Sequence, residues 1–553
     1  MSCLLPLLSG GMLVLGFPRW NQEWVIWLWL LPLLALLWDG EGAVSGFKSG
    51  YLAGLAFFLP NLAWVRHSSR VMAGAVDHSW VGIGPELMGA GAVIGLSGYC
   101  ALYFGLWGWF VRRFALPEKH RLTRGSWQES TWESLRCSVL AASAWVVCEW
   151  LRSTTVFTGF GWNGLGVGLH QNRVLIQGAD LVGVMGLSFL PVLVACTGWN
   201  TLRRQVAVYQ GKGSCRTRLD LTLVLVVLLA AAFYGVLKVT RPQGDVVEVQ
   251  TLLVQPNVSQ VDAWSGRMAP QVYERLKTFT KLYVEGGEPP DLVIWPESAL
   301  PVHLHGQGER WGLPRHEDFF NDLLAAGDFS LMTGTEIYPT SEPGPGGHVS
   351  TVLFRGSYGH RQEHHKVHLV PFGEYLPFGD HPPFSLLRSV IPGDFDAGTS
   401  TDPLKLEKPQ VGIIPLICFE DTVGRLARRF VRPEPQMIVN LTNDGWFLQS
   451  EQMEVHAANA RFRAIELRRP MVRATNTGVT CFIDTLGTLT QKLADPETGS
   501  TLIEGCLPGT VLVPGQPEMT LYARFGDWFA LCCLGLCAVW VLFKKMISRP
   551  CLH

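Results

Sequence analysis

A chain of 553 residues in which 48% are hydrophobic and only 16% are charged is too long for one domain and too apolar to be wholly soluble. Its formal net charge of -1, without a Lys/Arg-rich helix or base-stacking motif, excludes the electrostatic footprint of a nucleic-acid binder. Thirteen scattered cysteines, none in a CxxC pair or at metal-type spacing, argue against a disulfide scaffold or a zinc site.

Seven apolar runs precede residue 240 and predict membrane spans near Leu4 to Phe17, Trp24 to Trp38, Ser49 to Val65, Met88 to Val111, Ser138 to Leu151, Asp180 to Trp199 and Leu221 to Val239. An eighth runs from Phe525 to Phe543. Several fall short of the roughly 20 residues of a straight span, the first two most of all. The opening run lacks a Lys/Arg n-region and an A-x-A site, which favours a retained helix over a signal peptide. Lysines and arginines crowd the loop after the fourth span (Arg112 to Arg136), the loop after the sixth (Arg203 to Arg218) and the tail from Lys544 to Arg549. Seven spans before residue 240 put all three on one side, which the positive-inside rule makes cytoplasmic. Residues from about Pro242 to Ala523 then lie outside, in the periplasm of a bacterium. Glu149, within the fifth predicted span, sits close to Arg152 and reads as half of a structural ion pair. The expected organisation is a membrane domain over 1–240, an outer domain over 241–523, and a last helix with a short tail over 524–553.

Between residues 245 and 515, short β-branched runs alternate with amphipathic segments, the pattern of a layered α/β domain. VVEVQTLLVQPN predicts a strand, Arg267 to Tyr283 a helix, DLVIWPES a strand, and His316 to Ala326 a helix. SLMTGTEIY and the run from Val349 to Pro371 follow as strands, the latter folding back at Ser357 to Gly359. VGIIPLICFED, QMIVNLTND and the pair around PMVRATNTGVTCFID continue the sheet, with helices at Thr422 to Phe430 and Gln452 to Leu467. Three polar residues each close an apolar strand: Glu297 in VIWPES, Lys366 in HHKVHLVP and Cys418 in PLICFE. Strand ends are where α/β sheets gather functional groups. Taken singly, each also fits a solvated strand end or, for Cys418, a buried inert thiol. His360, His364, His365 and His368 include an i, i+4 pair, but a strand does not present that spacing as a helix does, and no HExxH-type carboxylate accompanies it. No metal is expected.

As a set, WPES with Glu297, HKVHLVPFGEYLP with Lys366 and ICFED with Cys418 resemble the Glu-Lys-Cys centre of the nitrilase, or carbon-nitrogen hydrolase, superfamily. KxHLVPFGEYxP with Glu374, the QPNxxQ stretch Gln255 to Gln260 followed by Trp264, NDGWF at Asn443 to Phe447, and ARFRAIELRRPMVRATNTGVT narrow the resemblance to the apolipoprotein N-acyltransferases. EWLRSTTVFTGFGW and ADLVGVMGLSFL extend it into the membrane part, so it covers nearly the whole chain. The resemblance implies a polytopic α-helical membrane domain of about eight spans plus an extramembrane nitrilase-like αββα sandwich. It implies a monomer in the bacterial inner membrane, needing no cofactor, with a phospholipid as acyl donor and a diacylglyceryl apolipoprotein as acceptor. Glu297 would be the general base, Lys366 the stabiliser of thiolate and oxyanion, and Cys418 the nucleophile of a ping-pong reaction. Free N–H groups of the helix predicted at Thr422 would assist the sulfur. Glu374 would orient the lysine or the attacking amine, and Glu420 would support the nucleophile. Trp264, Phe372, Tyr375, Phe378 and Trp446 would line the entrance. Two positions depart from the pattern: Phe419 stands where the family usually has Tyr, and Gly161 where members often have Pro. Two rival readings stand beside this one, a membrane-anchored amidase that passes the acyl group to water and a non-catalytic scaffold that only binds lipoproteins.

Overall fold

The computed structural model describes residues 3–40, 45–69, 84–242, 244–259, 268–287, 289–306, 313–340, 346–379, 381, 394–447 and 450–547. The chain divides into two compact units: Met1–Ala63 with Gly91–Arg241 and Phe525–His553, and Trp64–Ala90 with Pro242–Arg524.

The first unit is helical. Four helices are long and apolar enough to cross a membrane: Glu86–Phe114, Trp127–Thr154, Leu219–Thr240 and Trp528–Ile547. A further candidate is a bent pair, Leu175–Leu187 and Phe189–Tyr209, which meet at 66°. Leu219–Thr240 leaves Val226, Leu229 and Phe233 more than half exposed, an apolar face suited to lipid rather than water. The first three predicted spans are shorter than expected: Leu4–Val14 has 11 residues, Leu31–Asp39 has 9 after a 3-10 turn, and Gly46–Asn61 has 16. Pro18 follows the first of these helices and Pro60 lies near the end of the third, and proline lacks the N–H that would continue a helix. At about 1.5 Å per residue these helices reach roughly 14 to 24 Å, short of a ~30 Å hydrocarbon core. Among the described residues, full-length spans therefore number up to five, not the expected eight.

Buried charges inside this unit find partners of two kinds, an opposite charge or nearby polar groups. Arg204 and Asp220, both fully buried, meet at 2.6 Å. The expected Glu149–Arg152 pair is not formed. Glu149 accepts the Leu165 N–H at 2.7 Å and the Ser188 hydroxyl at 2.5 Å, while Arg152 donates to the Trp162 carbonyl at 2.5 Å. Both side chains are drawn to the backbone of the 160–165 loop, whose polar groups need partners away from water.

Among the described residues the second unit holds twelve strands: β1 Val246–Gln255, β2 Leu292–Ile294, β3 Ser330–Ile337, β4 His348–Arg355, β5 Ser357–His365, β6 Leu404–Leu406, β7 Val411–Ile417, β8 Gln436–Thr442, β9 Met471–Thr475, β10 Cys481–Ile483, β11 Leu489–Lys492 and β12 Gly505–Pro514. They form two six-stranded sheets, in the orders β12-β1-β2-β3-β4-β5 and β11-β10-β9-β8-β7-β6. In each, three neighbours run parallel: β1, β2 and β3 in one, β7, β8 and β9 in the other. Leu253, Ile294 and Met332 of the first sheet pack with Ile413, Val439 and Val472 of the second to make the inter-sheet core. The outer face of the first sheet is covered by helices Ala269–Glu285 and His316–Leu324 around Trp295 and Phe320. Helix Gln452–Leu467 covers the second around Ile414 and Ala460. This is the αββα arrangement. Because both faces of each sheet are covered, the central parallel strands read as nearly unbroken apolar runs. β12 is less legible, since its two glycines and two prolines look like loop; it nevertheless pairs with β1 over ten residues, on a sheet edge where proline is tolerated.

Candidate active site

The C-terminal ends of parallel strands from both sheets meet, and a different local device delivers each of the three strand-end residues. β2 runs on from Ile294 through Trp295 and Pro296 to Glu297. Trp295 is fully buried, its backbone N–H bonded to the Met332 carbonyl at 2.8 Å and its indole N–H to Thr280 Oγ1 at 3.1 Å. That anchor fixes the residues after it. Gly334 of β3 passes so close that a Cβ there would lie 2.6 Å from Glu297 Cα, so only glycine lets the strand seat this carboxylate. Lys366 follows β5 directly; its N–H donates to the Val349 carbonyl at 2.8 Å and its own carbonyl accepts from Gly398 at 2.7 Å. Cys418 follows β7 with φ at 53°, in the left-handed region, where the chain turns sharply from strand into the 3-10 turn Cys418–Thr422. Holding a non-glycine residue there costs about 1–3 kcal/mol, strain that typically marks functional positions.

Lys366 Nζ lies 2.5 Å from Glu374 Oε1 and 3.5 Å from Glu297 Oε1. Glu297 and Thr442 both stand near enough to the Cys418 thiol to influence its ionisation. Lys366 is completely buried, Glu297 nearly so and Cys418 partly. Burial pushes the Cys418 thiol well above its ordinary range and the charge of Glu297 adds to this, while Lys366 and Thr442 pull the other way. Burial also raises the Glu297 carboxyl, against the pull of Lys366. For Lys366, burial works downward but is outweighed by Glu374 and Glu297, so the ammonium ends above its usual range. The resting arrangement is a protonated thiol beside the Glu297 carboxyl group and a lasting ammonium, not a preformed thiolate. Such a carboxylate can take the thiol proton as the sulfur attacks, and such an ammonium can hold the negative charge that develops.

The helix predicted from Thr422 to Phe430 is instead three short turns, Cys418–Thr422, Gly424–Ala427 and Arg428–Phe430. Turns this short carry little macrodipole, so the charge that lowers the thiol is foremost that of Lys366. Glu420 is fully buried and accepts the N–H groups of Val367 (2.8 Å) and His368 (2.9 Å) on one oxygen and of Ile417 (2.8 Å) on the other. It ties the backbone beside Lys366 to the backbone beside Cys418. Burial pushes its carboxyl up to about 7, with these donors and Lys366 working against the rise. Glu374 holds Lys366 with one oxygen and the Val370 N–H, at 2.8 Å, with the other. Phe419 stacks on His368, the ring centroids 6.0 Å apart. Phe372 and Tyr375 bracket Glu374 in a loop closed by the Phe372 N–H on the Tyr375 carbonyl at 2.9 Å. Phe378, just beyond it, is 61% exposed. Trp446 is half-buried, its carbonyl accepting the Ser68 hydroxyl at 2.8 Å. Trp264 lies outside the described residues.

Sequence reasoning missed the support beneath Cys418. His456, on helix Gln452–Leu467, donates to Asp444 Oδ1 at 2.8 Å and to Asp421 Oδ1 at 2.9 Å. Arg473 of β9 reaches the other oxygens of the same carboxylates, at 2.5 Å for Asp421 and 3.3 Å for Asp444. All four side chains are buried, with two positive charges balancing two negative ones. Burial pulls His456 down, but Asp421 and Asp444 outweigh it and lift the imidazole up to about 9. Asn440 completes the brace by donating to the carbonyls of Leu416 and Cys418, both at 3.1 Å. An arginine inside an apolar strand, in MVRAT, was the available signal.

Comparison with known proteins matches residues 258–508 to the carbon-nitrogen hydrolase family and residues 9–197 to the apolipoprotein N-acyltransferase N-terminal domain. The chain is 31% identical to an apolipoprotein N-acyltransferase of Geobacter metallireducens, over 97% of this chain and 94% of the relative. It is 29% identical to that of Rhodopseudomonas palustris, over 98% and 95%, and 26% identical to that of Rickettsia prowazekii, over 88% and 86%. Near-full-length identity of this order, spanning both the helical unit and the αββα unit, makes the chain a member of the apolipoprotein N-acyltransferase family.

Proposed function

We propose that this chain transfers an acyl group from a phospholipid to the α-amino group of the N-terminal diacylglyceryl-cysteine of lipoproteins, in two half-reactions through a Cys418 thioester. The observation that carries the reading is the convergence of Glu297, Lys366 and Cys418, in a chain similar over nearly its whole length to enzymes named for this transfer.

In the first half, Glu297 takes the thiol proton as the sulfur adds to the ester carbonyl, and Lys366 holds the oxyanion. Collapse expels the lysophospholipid alkoxide, which takes the proton from Glu297 and leaves an S-acyl bond. In the second half a neutral amine adds to the thioester, Glu297 receives its proton, and collapse gives the amide and the thiol. Glu374 keeps Lys366 charged and aimed, and Glu420 keeps the two strand ends in register. Thioester to amide is downhill, so the second half drives the first.

Both substrates are held in the bilayer by about 0.8 kcal/mol per buried CH₂, so the thiol must come to the membrane. Phe372, Tyr375, Phe378 and Trp446 would guard the entrance, and excluding water there favours the amine over hydrolysis. Orientation follows from parity. With the helix from Glu86, the helix from Trp127, the bent pair taken as one span and the helix from Leu219, the basic stretches Arg112 to Arg136 and Arg203 to Arg218 still fall on one side. The catalytic unit then lies on the other, the periplasmic side of an inner membrane, whatever the first three short helices do. The enzyme works as a monomer without cofactor.

The test uses purified protein with labelled phospholipid, then a diacylated lipopeptide. Phospholipid alone should leave a mass adduct of one acyl chain on Cys418, and the lipopeptide should remove it as an amide. An acyl adduct on the Cys418→Ala protein would overturn the mechanism.

A further inference from the structure

A second carboxylate faces a cavity next to Glu297, and the reaction outlined above gives it no task. Residues i and i+2 of a strand point to the same face, so Glu336 lies on the face of β3 from which Gly334 presses against Glu297. The cavity, about 160 Å³, is lined by Ser298, Leu300, His303, Glu336, Asn443 and Asn476 among others. That is roughly ten times the ~15 Å³ a single water needs. Ser298 adjoins Glu297 in sequence, and its φ of 48° turns the chain sharply there. Neither Lys366 nor Cys418 is among the described residues lining it, so the space flanks the reacting atoms rather than containing them.

Glu336 accepts one hydrogen bond, from the Tyr338 hydroxyl at 2.9 Å, and among the described residues no lysine or arginine pairs with it. Burial raises its carboxyl and the nearby charge of Glu374 adds to the rise. A carboxylate in this setting is destabilised until a cation arrives. The other polar linings, the side-chain amides of Asn443 and Asn476, the Ser298 hydroxyl and the His303 imidazole in its neutral form, can accept hydrogen bonds from N–H groups as well.

We propose that this cavity is an ammonium subsite in which Glu336 binds a primary ammonium group of a substrate. The inference rests on the acyl-transfer reading and deepens it by assigning the cation-bearing part of a substrate to a place. Two substrates could supply that chemistry: a donor lipid with an aminoalkyl head group, or the acceptor, whose α-amine is largely protonated before it reacts.

Full-length Glu336→Gln and Glu336→Asp proteins in detergent micelles distinguish these sources. Acyl-enzyme formation is followed by intact mass with phosphatidylethanolamine and with phosphatidylglycerol of the same acyl chains; its discharge is followed with a diacylated lipopeptide. If the donor head group is bound, Glu336→Gln slows acylation by phosphatidylethanolamine tenfold or more and leaves phosphatidylglycerol unchanged. If the acceptor is bound, both donors acylate normally and the lipopeptide KM rises tenfold or more. Glu336→Asp should recover part of either loss, because it keeps the charge. The inference is overturned if all three rates stay within twofold of wild type, or if all fall together, which is what a damaged fold would give. A wild-type protein that never acquires an adduct on Cys418 sinks the acyl-transfer reading itself, a separate outcome from an active enzyme indifferent to Glu336.

Discussion

Replacing Glu297 with Gln should slow acylation and, at the same time, make the thiol easier to ionise. The amide keeps the shape of the side chain but cannot take a proton, so acyl-enzyme formation should fall by about 10²–10⁴, or roughly 3–5 kcal/mol. Lys366 should stay protonated. At an effective dielectric of about 20, unit charges separated as in its 3.5 Å contact with Glu297 attract by about 5 kcal/mol, and as in its 2.5 Å contact with Glu374 by about 7 kcal/mol. The larger share survives the substitution. Cys418 loses a negative neighbour that raises its pKa while retaining a positive one that lowers it, so its ionisation should move to lower pH. Two assays read the two effects: the rate of S-acylation from labelled phospholipid by mass spectrometry, and the pH dependence of Cys418 alkylation. Opposite movements are what a carboxylate base predicts, since damage to the fold would not make the thiol more acidic. If Glu297→Gln acylates within tenfold of wild type, or if its alkylation profile moves to higher pH, the assignment of Glu297 is wrong.

Glu374→Gln leaves Lys366 with Glu297 alone, and a loss of about 10–100-fold in acylation is expected, or roughly 1.4–2.8 kcal/mol, with the purified protein otherwise folded. Gly334→Ala forces a Cβ to within 2.6 Å of Glu297 Cα; it should destabilise by about 1–3 kcal/mol and depress acylation more than melting alone explains, as thermal unfolding beside activity would reveal. His456 has a folded pKa of about 9, above its unfolded value of about 6.5. Its stabilising contribution is therefore complete below about pH 6.5 and is lost as pH rises through about 9. His456→Asn should lower stability by about 3–5 kcal/mol near neutrality, because Asp421 and Asp444 lose a buried cation. Wild type should lose melting temperature between about pH 7 and 9.5, and that fall should flatten in the variant; an unchanged slope would refute the linkage.

Much of this protein is written in local sequence. Apolar runs of the inner strands, bounded by Pro, Gly and acidic residues, locate β1, β3, β7 and β8, and helix Gln452–Leu467 forms over the residues its pattern predicts. Glu297 and Cys418 stand out because each is a polar residue closing such a run, a property of neighbours along the chain; Lys366 does not, since it follows the polar edge strand β5, and only the motif around it marks it. What requires the fold is distance. That Cys418 meets Glu297 rather than its own neighbours Glu420 and Asp421 follows from packing two sheets face to face, which brings together strand ends more than a hundred residues apart. The same packing turns Glu420 toward backbone N–H groups and Asp421 toward His456 and Arg473. The short helices before residue 62 and the strand β12 escape a local reading for a related reason. Hydropathy counts apolar residues but not where proline ends a helix, and glycine and proline are tolerated in a strand only because its partner β1 supplies the pairing. Burial, too, belongs to the assembled molecule alone, and burial is what keeps the thiol protonated at rest and makes a carboxylate base necessary.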